Sequence, residues 1–137
     1  MAPEVVYLDT AALVKLVRPE PESDALADWL DARPDSMLVS SALVDVELPR
    51  ALRRTNPELI RDVPALLARV AVYEIDDLVR ATAAAYPEPH LRSLDAIHLA
   101  TAQAVFGGLL TAFVTYDRRL VASAGSLGLP VPDLLPG

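Results

Sequence analysis

The chain has 137 residues, a length that suits one compact domain spanning 1–137, and 53% of its residues are hydrophobic. It contains no cysteine, which excludes disulfide bonds, thiolate nucleophiles and cysteine zinc sites. Its apolar stretches are too short to cross a membrane and we see no secretion signal, so we expect a cytoplasmic protein without a membrane partner. The formal net charge of −7 disfavours extended, non-specific binding of nucleic acid.

Strand-forming runs alternate with helical spacing of apolar residues along the first half of the chain. The predicted elements are, in order, a strand at 4–9, a helix capped by Thr10, a helix at 23–32, a strand at 36–40, a helix from Ser40 or Ser41 to Arg54, and a helix at 58–69.

The second half continues the alternation. Its predicted elements are a strand at 70–75, a helix capped by Asp76 that reaches about Ala85, a helix at 93–106 closed by Gly107 and Gly108, a strand at 113–115, a helix at 117–124 and a short edge strand at 130–134. Alternation of this kind predicts a three-layer α/β/α domain with a mainly parallel central sheet.

Four acidic residues stand where such a fold binds ligands. Asp9 and Asp117 follow predicted strands, and Glu47 and Asp95 lie in the opening turns of predicted helices. An ionised carboxylate among apolar neighbours raises the free energy of the fold unless it is paired or bound to a cation. Because the chain has one lysine, Lys15, a divalent cation is the expected partner of the four acids. An all-oxygen ligand set favours Mg²⁺ or Mn²⁺ over zinc.

Each acid taken alone has a simpler explanation. Asp9 and Asp117 could be helix caps, Asp95 could complement a helix dipole, and Glu47 could be an ordinary surface residue. His98 stands three residues after Asp95 and so shares its helix face, but we interpret it as a packed, hydrogen-bonded histidine.

The acidic positions lie in four sequence blocks: YLDTAALVKL at 7–16, SSALVDVEL at 40–48, LRSLDAIHLATA at 91–102 and FVTYDRRL at 113–120. These blocks resemble the PIN-domain proteins of the VapC toxin group. The blocks keep the family's order and spacing and cover nearly the whole chain. Two residues depart from the pattern: Ala11 stands where the family commonly has serine, and Pro49 interrupts a segment that is usually a regular helix.

The resemblance implies a fold, a site and an activity. In such proteins the first and fourth strands are neighbours, and Asp9, Glu47, Asp95 and Asp117 hold Mg²⁺ or Mn²⁺. The activity implied is that of an endoribonuclease acting on structured RNA, such as tRNA or a ribosomal RNA loop. The partners implied are a VapB-like antitoxin and a second copy of the chain, in a homodimer or a larger toxin–antitoxin complex.

Several polar residues could support this chemistry. Thr10 and Thr115 offer hydroxyl groups next to the acids in the sequence. Six arginines lie close in sequence to three of the four acidic positions and could form a local positive rim despite the acidic total: Arg50, Arg53, Arg54, Arg92, Arg118 and Arg119. Of these, Arg50, Arg92 and Arg118 are the candidate RNA contacts.

Two other functions fit an acidic site in an α/β domain. A metal-dependent phosphatase with Asp9 as nucleophile usually has a second aspartate two residues later, where this chain has Ala11. The other alternative is a non-catalytic binding module. A receiver-like domain needs a lysine after a late strand, whereas the one lysine of this chain, Lys15, lies early. A PIN-like scaffold without activity would not need all four acids, which this chain has.

Overall fold

A parallel four-stranded sheet with helices on both faces forms the protein. The structure, a computed structural model, describes residues 3–134; the predicted domain limits, 1–137, include residues outside that range. The strands are β1 (Val5–Leu8), β2 (Met37–Ser41), β3 (Ala71–Tyr73) and β4 (Ala112–Val114). Their order across the sheet is β3-β2-β1-β4, and every neighbouring pair is parallel. The predicted α/β/α class and the adjacency of the first and fourth strands are confirmed.

Seven α-helices lie in the described range. They are α1 (Thr10–Val17), α2 (Ser23–Asp31), α3 (Val44–Thr55), α4 (Val63–Leu67), α5 (Asp77–Ala85), α6 (Ser93–Ala100) and α7 (Arg118–Ser126). None of the helices in this range has the length and apolarity to cross a membrane.

Two apolar clusters lie on opposite faces of the sheet. Val6 and Leu8 point into the cluster formed with α1, α2, α3 and α4, whereas Val5 and Tyr7 point into the cluster formed with α6 and α7. All four residues of β1 are buried because β1 is an inner strand covered on both faces. The sheet therefore holds β1 and β4 rigidly side by side, and Asp9 follows the buried end of β1.

Several predicted element boundaries are wrong. The cap of α1 is Asp9 and not Thr10, because the Asp9 carboxylate accepts the Ala12 backbone N–H. The helix expected from Ser40 or Ser41 begins at Val44, since Ser41 still pairs with Tyr73 in the sheet.

Two predicted helices are interrupted. The one at 58–69 is a 3₁₀ helix at Pro57–Asp62 followed by α4, because Pro64 lacks an N–H and fits only the first turn of a helix. The one at 93–106 is α-helical only to Ala100 and continues as a π-helical segment, Thr101–Phe106.

The predicted edge strand at 130–134 is absent from the described sheet. The Phe113 N–H donates to the carbonyl oxygen of Pro130 at 2.7 Å, but Pro130 and Pro132 have no N–H with which to continue a ladder.

Candidate active site

Asp9 occupies the switch point of the sheet, where β1 ends between β2 and β4. Its side chain is 3% exposed. One carboxylate oxygen accepts the Ala12 backbone N–H at 2.9 Å, and the other accepts the hydroxyl of Thr115. Burial raises the pKa of Asp9 to about 6, although His98 and both hydrogen bonds oppose the rise. Asp9 is therefore both a helix cap and a carboxylate that is costly to ionise.

Thr115 connects Asp9 to Asp117. The Thr115 hydroxyl donates to Asp9 and accepts the backbone N–H of Asp117 at 3.2 Å. Asp117 caps α7 by accepting the backbone N–H of Arg119 at 2.9 Å. Since Thr115 follows β4 and Asp9 follows β1, the parallel pairing of these strands places the two acids at the same edge of the sheet.

Glu47 lies in the fourth position of α3 and enters a buried network. Its Oε1 accepts the Thr10 hydroxyl at 2.7 Å and lies 2.9 Å from Nε2 of His98. The other ring nitrogen of His98, Nδ1, lies 2.7 Å from the hydroxyl of Tyr7. Because a carboxylate only accepts, His98 carries a proton on Nε2, and in the neutral ring Nδ1 accepts from Tyr7.

The same network sets the charge state of Glu47. Burial raises its pKa, but hydrogen bonds from His98 and Thr10 outweigh burial, so the pKa lies below the usual value. Glu47 is therefore held ionised, with a fixed orientation.

Asp95 projects from the first turn of α6 and is half-buried. Burial and the charge of Asp117 raise its pKa, and Glu47 adds to the rise, while His98 and Arg92 lower it. Asp95 also contributes to the raised pKa of Asp9. Asp95 thus lies within electrostatic reach of each of the other three predicted acids.

The four acids have the donor chemistry that a hard divalent cation requires. They offer oxygen atoms only, and their mutual repulsion favours a cation. As the side chains stand, no three Asp, Glu or His residues between residues 3 and 134 are close enough together to hold a metal ion. The set therefore fits Mg²⁺ or Mn²⁺ in chemistry and charge, and binding requires the side chains to move closer.

A cleft of about 280 Å³ opens on one side of the acids. Asp95 and Asp117 line it together with Arg92 and Arg119. Of the predicted RNA-binding residues, Arg92 is thus next to the acids, whereas Arg50 and Arg118 are exposed and do not line this cleft. Arg119, another arginine of the expected positive rim, also lines the cleft.

His98 belongs to the site although the sequence pattern gave it only a packing role. The expectation of a packed, hydrogen-bonded histidine is confirmed, since its side chain is 3% exposed and has partners at both ring nitrogens. Its hydrogen bond to Glu47 was not expected. The three-residue spacing from Asp95 was the available signal, because it puts both side chains on one helix face.

Comparison with known proteins identifies the family. The PIN domain family matches residues 6–125. The chain is 58% identical to Ribonuclease VapC35 of Mycobacterium tuberculosis over 129 residues, which cover 93% of this chain and 95% of the relative.

Solved structures share the fold at low sequence identity. Mycobacterium tuberculosis VapC20, described as a sarcin-ricin loop cleaving toxin, superposes with a TM-score of 0.69 at 15% identity, over 86% of this chain and 94% of that one. VapBC2 from Rickettsia felis, bound to a DNA fragment from its promoter, gives a TM-score of 0.66 at 14% identity, over 93% and 97%. The chain belongs to the PIN-domain family and, within it, to the VapC-type ribonucleases.

Proposed function

We propose that this protein is a Mg²⁺- or Mn²⁺-dependent endoribonuclease that cleaves structured RNA and acts as the toxin of a toxin–antitoxin pair. The observation that carries the proposal is the buried Asp9 carboxylate at the switch point, within electrostatic reach of Asp95 and joined to Asp117 through Thr115. A charge of this kind is stable only when a cation or a proton compensates it.

Asp9, Glu47, Asp95 and Asp117 would hold the metal. Bound there, a divalent cation would lower the pKa of a water molecule and stabilise charge on the scissile phosphate and the leaving oxygen. No nucleophilic side chain is needed, which agrees with a cysteine-free chain. A carboxylate of this set would also be placed to accept a proton from the attacking water.

The residues around the acids orient them. Thr115 fixes one oxygen of Asp9, and Thr10 and His98 fix Oε1 of Glu47. Hydrogen bonds from an outer shell commonly set both the direction and the basicity of the groups that bind a metal. Thr10 and Thr115 are therefore supporting residues of the site.

Arginine side chains would bind the RNA backbone. Arg92 shares the cleft of Asp95 and Asp117 and lowers the pKa of Asp95 through its charge. Arg50 and Arg118, both exposed, would extend the positive rim. Local cations of this kind position a phosphate backbone, while the acidic total keeps non-specific binding weak.

The proposed substrate is a folded RNA, either a tRNA or a ribosomal RNA loop. Sequence-specific recognition of RNA usually targets the splayed bases of loops. The sarcin-ricin loop cleaved by VapC20 is one such target, and that toxin shares this fold.

The proposed partners follow from the same family. An antitoxin of the VapB type would cover the acids, and the toxin would form a homodimer within the complex. VapBC2 illustrates the assembly of a related toxin with its antitoxin on promoter DNA.

End mapping of cleaved RNA tests the proposal. Purified protein is incubated with total RNA and Mn²⁺, and new RNA ends are sequenced; the same reaction with EDTA is the control. We expect cuts at one or a few sites in one structured RNA class. Cuts scattered evenly through mRNA and homopolymers would instead show a general nuclease.

A further inference from the structure

A second cleft, of about 330 Å³, opens close to Asp9. Its wall contains Ala11, two residues after Asp9, and Tyr116, which stands between Thr115 and Asp117. The cleft therefore begins where β1 and β4 end, next to the proposed reaction centre.

Basic side chains dominate this cleft although the chain is acidic. Lys15, Arg18 and Arg54 line it. Glu20 holds Lys15 and Arg18 in place, each at 3.4 Å from its Oε1, and Glu22 accepts from Lys15 at 3.0 Å. The two carboxylates, Glu20 and Glu22, therefore balance two of the three basic side chains and leave one net positive charge. Arg54 is exposed and makes no ion pair between residues 3 and 134, so its guanidinium is available to a ligand.

Tyr116 gives the cleft an aromatic wall. Its ring lies under Lys15, with Nζ 5.3 Å from the ring centroid. Its hydroxyl is buried and, within the described part of the chain, has no hydrogen-bond partner; the same holds for Oε2 of Glu20. Buried polar groups normally have partners, so these two atoms mark a place for a donor or acceptor from outside the protein. A ring beside cations is also the usual platform for a nucleobase.

We propose that this cleft is a subsite for an RNA nucleotide adjacent to the scissile bond. A backbone phosphate binds at Arg54 and Arg18, and the sugar or base of that nucleotide lies against Tyr116. The inference rests on the proposed ribonuclease function. Arg92 and Arg119 line the cleft that contains Asp95 and Asp117, so the RNA strand would contact basic side chains in both clefts as it passes the acids.

Binding measured without cleavage tests the subsite. All variants carry Asp95→Asn, so that the RNA is bound but not cleaved. A fluorescent RNA containing the mapped site is titrated at several salt concentrations, and its affinity is measured. Arg54→Ala should weaken binding about tenfold near 0.1 M salt and reduce the slope of log K against log salt by about 1, the effect of one lost phosphate contact. Arg53→Ala is the matched control: it removes an exposed arginine from the same last turn of α3, outside the cleft.

Two further variants separate charge from stacking. Arg54→Lys should restore the salt slope, because it keeps the charge. Tyr116→Ala should weaken binding without changing the slope, because a stacking contact releases no counterion. In otherwise unaltered enzyme, Arg54→Ala should raise KM and leave kcat within about twofold.

The proposal is overturned if Arg54→Ala and Arg53→Ala give the same affinity and slope while the unaltered enzyme still cleaves RNA. It is equally overturned if Arg54→Ala abolishes binding of an antitoxin but leaves RNA binding unchanged, since the cleft would then bind a protein. Failure of the proposed function has a different signature, the absence of cleavage by the unaltered chain.

Discussion

Nε2 of His98 lies 2.9 Å from Oε1 of Glu47, although 51 residues separate them in the chain. This contact forms although Pro49 lies inside α3, two residues after Glu47. The helix continues past the proline to Thr55, and Glu47 still reaches both His98 and Thr10. The departure at Pro49 therefore leaves Glu47 directed into the site.

His98 should act by positioning Glu47. Removing the imidazole by His98→Ala should weaken Mn²⁺ affinity and lower kcat, each by about 10- to 100-fold, since one anchor of the carboxylate is lost. His98→Gln offers an amide that can donate to Glu47 and should retain most of both. Mn²⁺ affinity is measured by electron paramagnetic resonance of the free ion, and circular dichroism checks the fold. Wild-type affinity in a folded His98→Ala protein would exclude this role.

Asp9 should destabilise the metal-free protein near neutral pH. Its pKa is about 6 in the folded state against an ordinary value of 3.8, so the folded protein holds an extra proton between about pH 4 and 6. Binding of this proton favours the folded state. Its contribution to the free energy of unfolding is complete below about pH 4 and is lost as the pH rises through 6. Asp9→Asn keeps the helix cap and should therefore be more stable than wild type at pH 7.5, by at most about 3 kcal/mol at about 1.4 kcal/mol per pKa unit.

Urea unfolding in EDTA at pH 4 and pH 7.5 measures this effect. The stability difference between Asp9→Asn and wild type should shrink or reverse at pH 4. Asp45→Asn serves as the control, because Asp45 is exposed and its loss should change stability little at either pH. A difference that is equal at both pH values would show that ionisation of Asp9 carries no cost.

Metal affinity should depend on pH through the same carboxylate. A cation requires the ionised form of Asp9, so affinity for Mn²⁺ should be nearly constant above pH 7 and should fall by about tenfold per pH unit well below pH 6. Calorimetric titration between pH 5 and 8 gives the curve. An unchanged affinity across this range would remove Asp9 from the ligand set.

An antitoxin should bind the toxin through basic residues. The net charge is −7, and the acids sit beside open clefts, so a basic side chain from the partner can reach them. Coexpression with the adjacent upstream reading frame should yield a complex that withstands purification and lacks ribonuclease activity. Recovery of the chain alone, without toxicity to the host, would contradict this prediction.

The sequence predicted the positions of the acids because each is tied to a local signal. Asp9 follows the apolar run of β1, and Asp117 precedes the apolar period of α7. The family resemblance then supplied the strand order, which chain-local patterns do not contain. Together they predicted the class of fold and the edge of the sheet at which Asp9 and Asp117 lie.

The contacts between distant segments could not be predicted in this way. The bond between His98 and Glu47, and the cleft shared by Arg18, Arg54 and Tyr116, exist only once α1, α3 and α6 have packed on the sheet. The helix interruptions were missed because each irregular segment, Pro57–Asp62 and Thr101–Phe106, has six residues and spans too few turns for its apolar period to be distinguished from that of an α-helix.

Cleavage by Asp95→Asn, compared with Asp45→Asn, tests the central claim most directly. Both substitutions remove one negative charge from a first helical turn, but only Asp95 lies within electrostatic reach of Asp9 and Asp117. With the mapped RNA and Mn²⁺, Asp45→Asn should cleave at the wild-type rate, while Asp95→Asn should be folded and at least about 1,000-fold slower. Cleavage by Asp95→Asn at the wild-type rate would contradict the assignment of the active site.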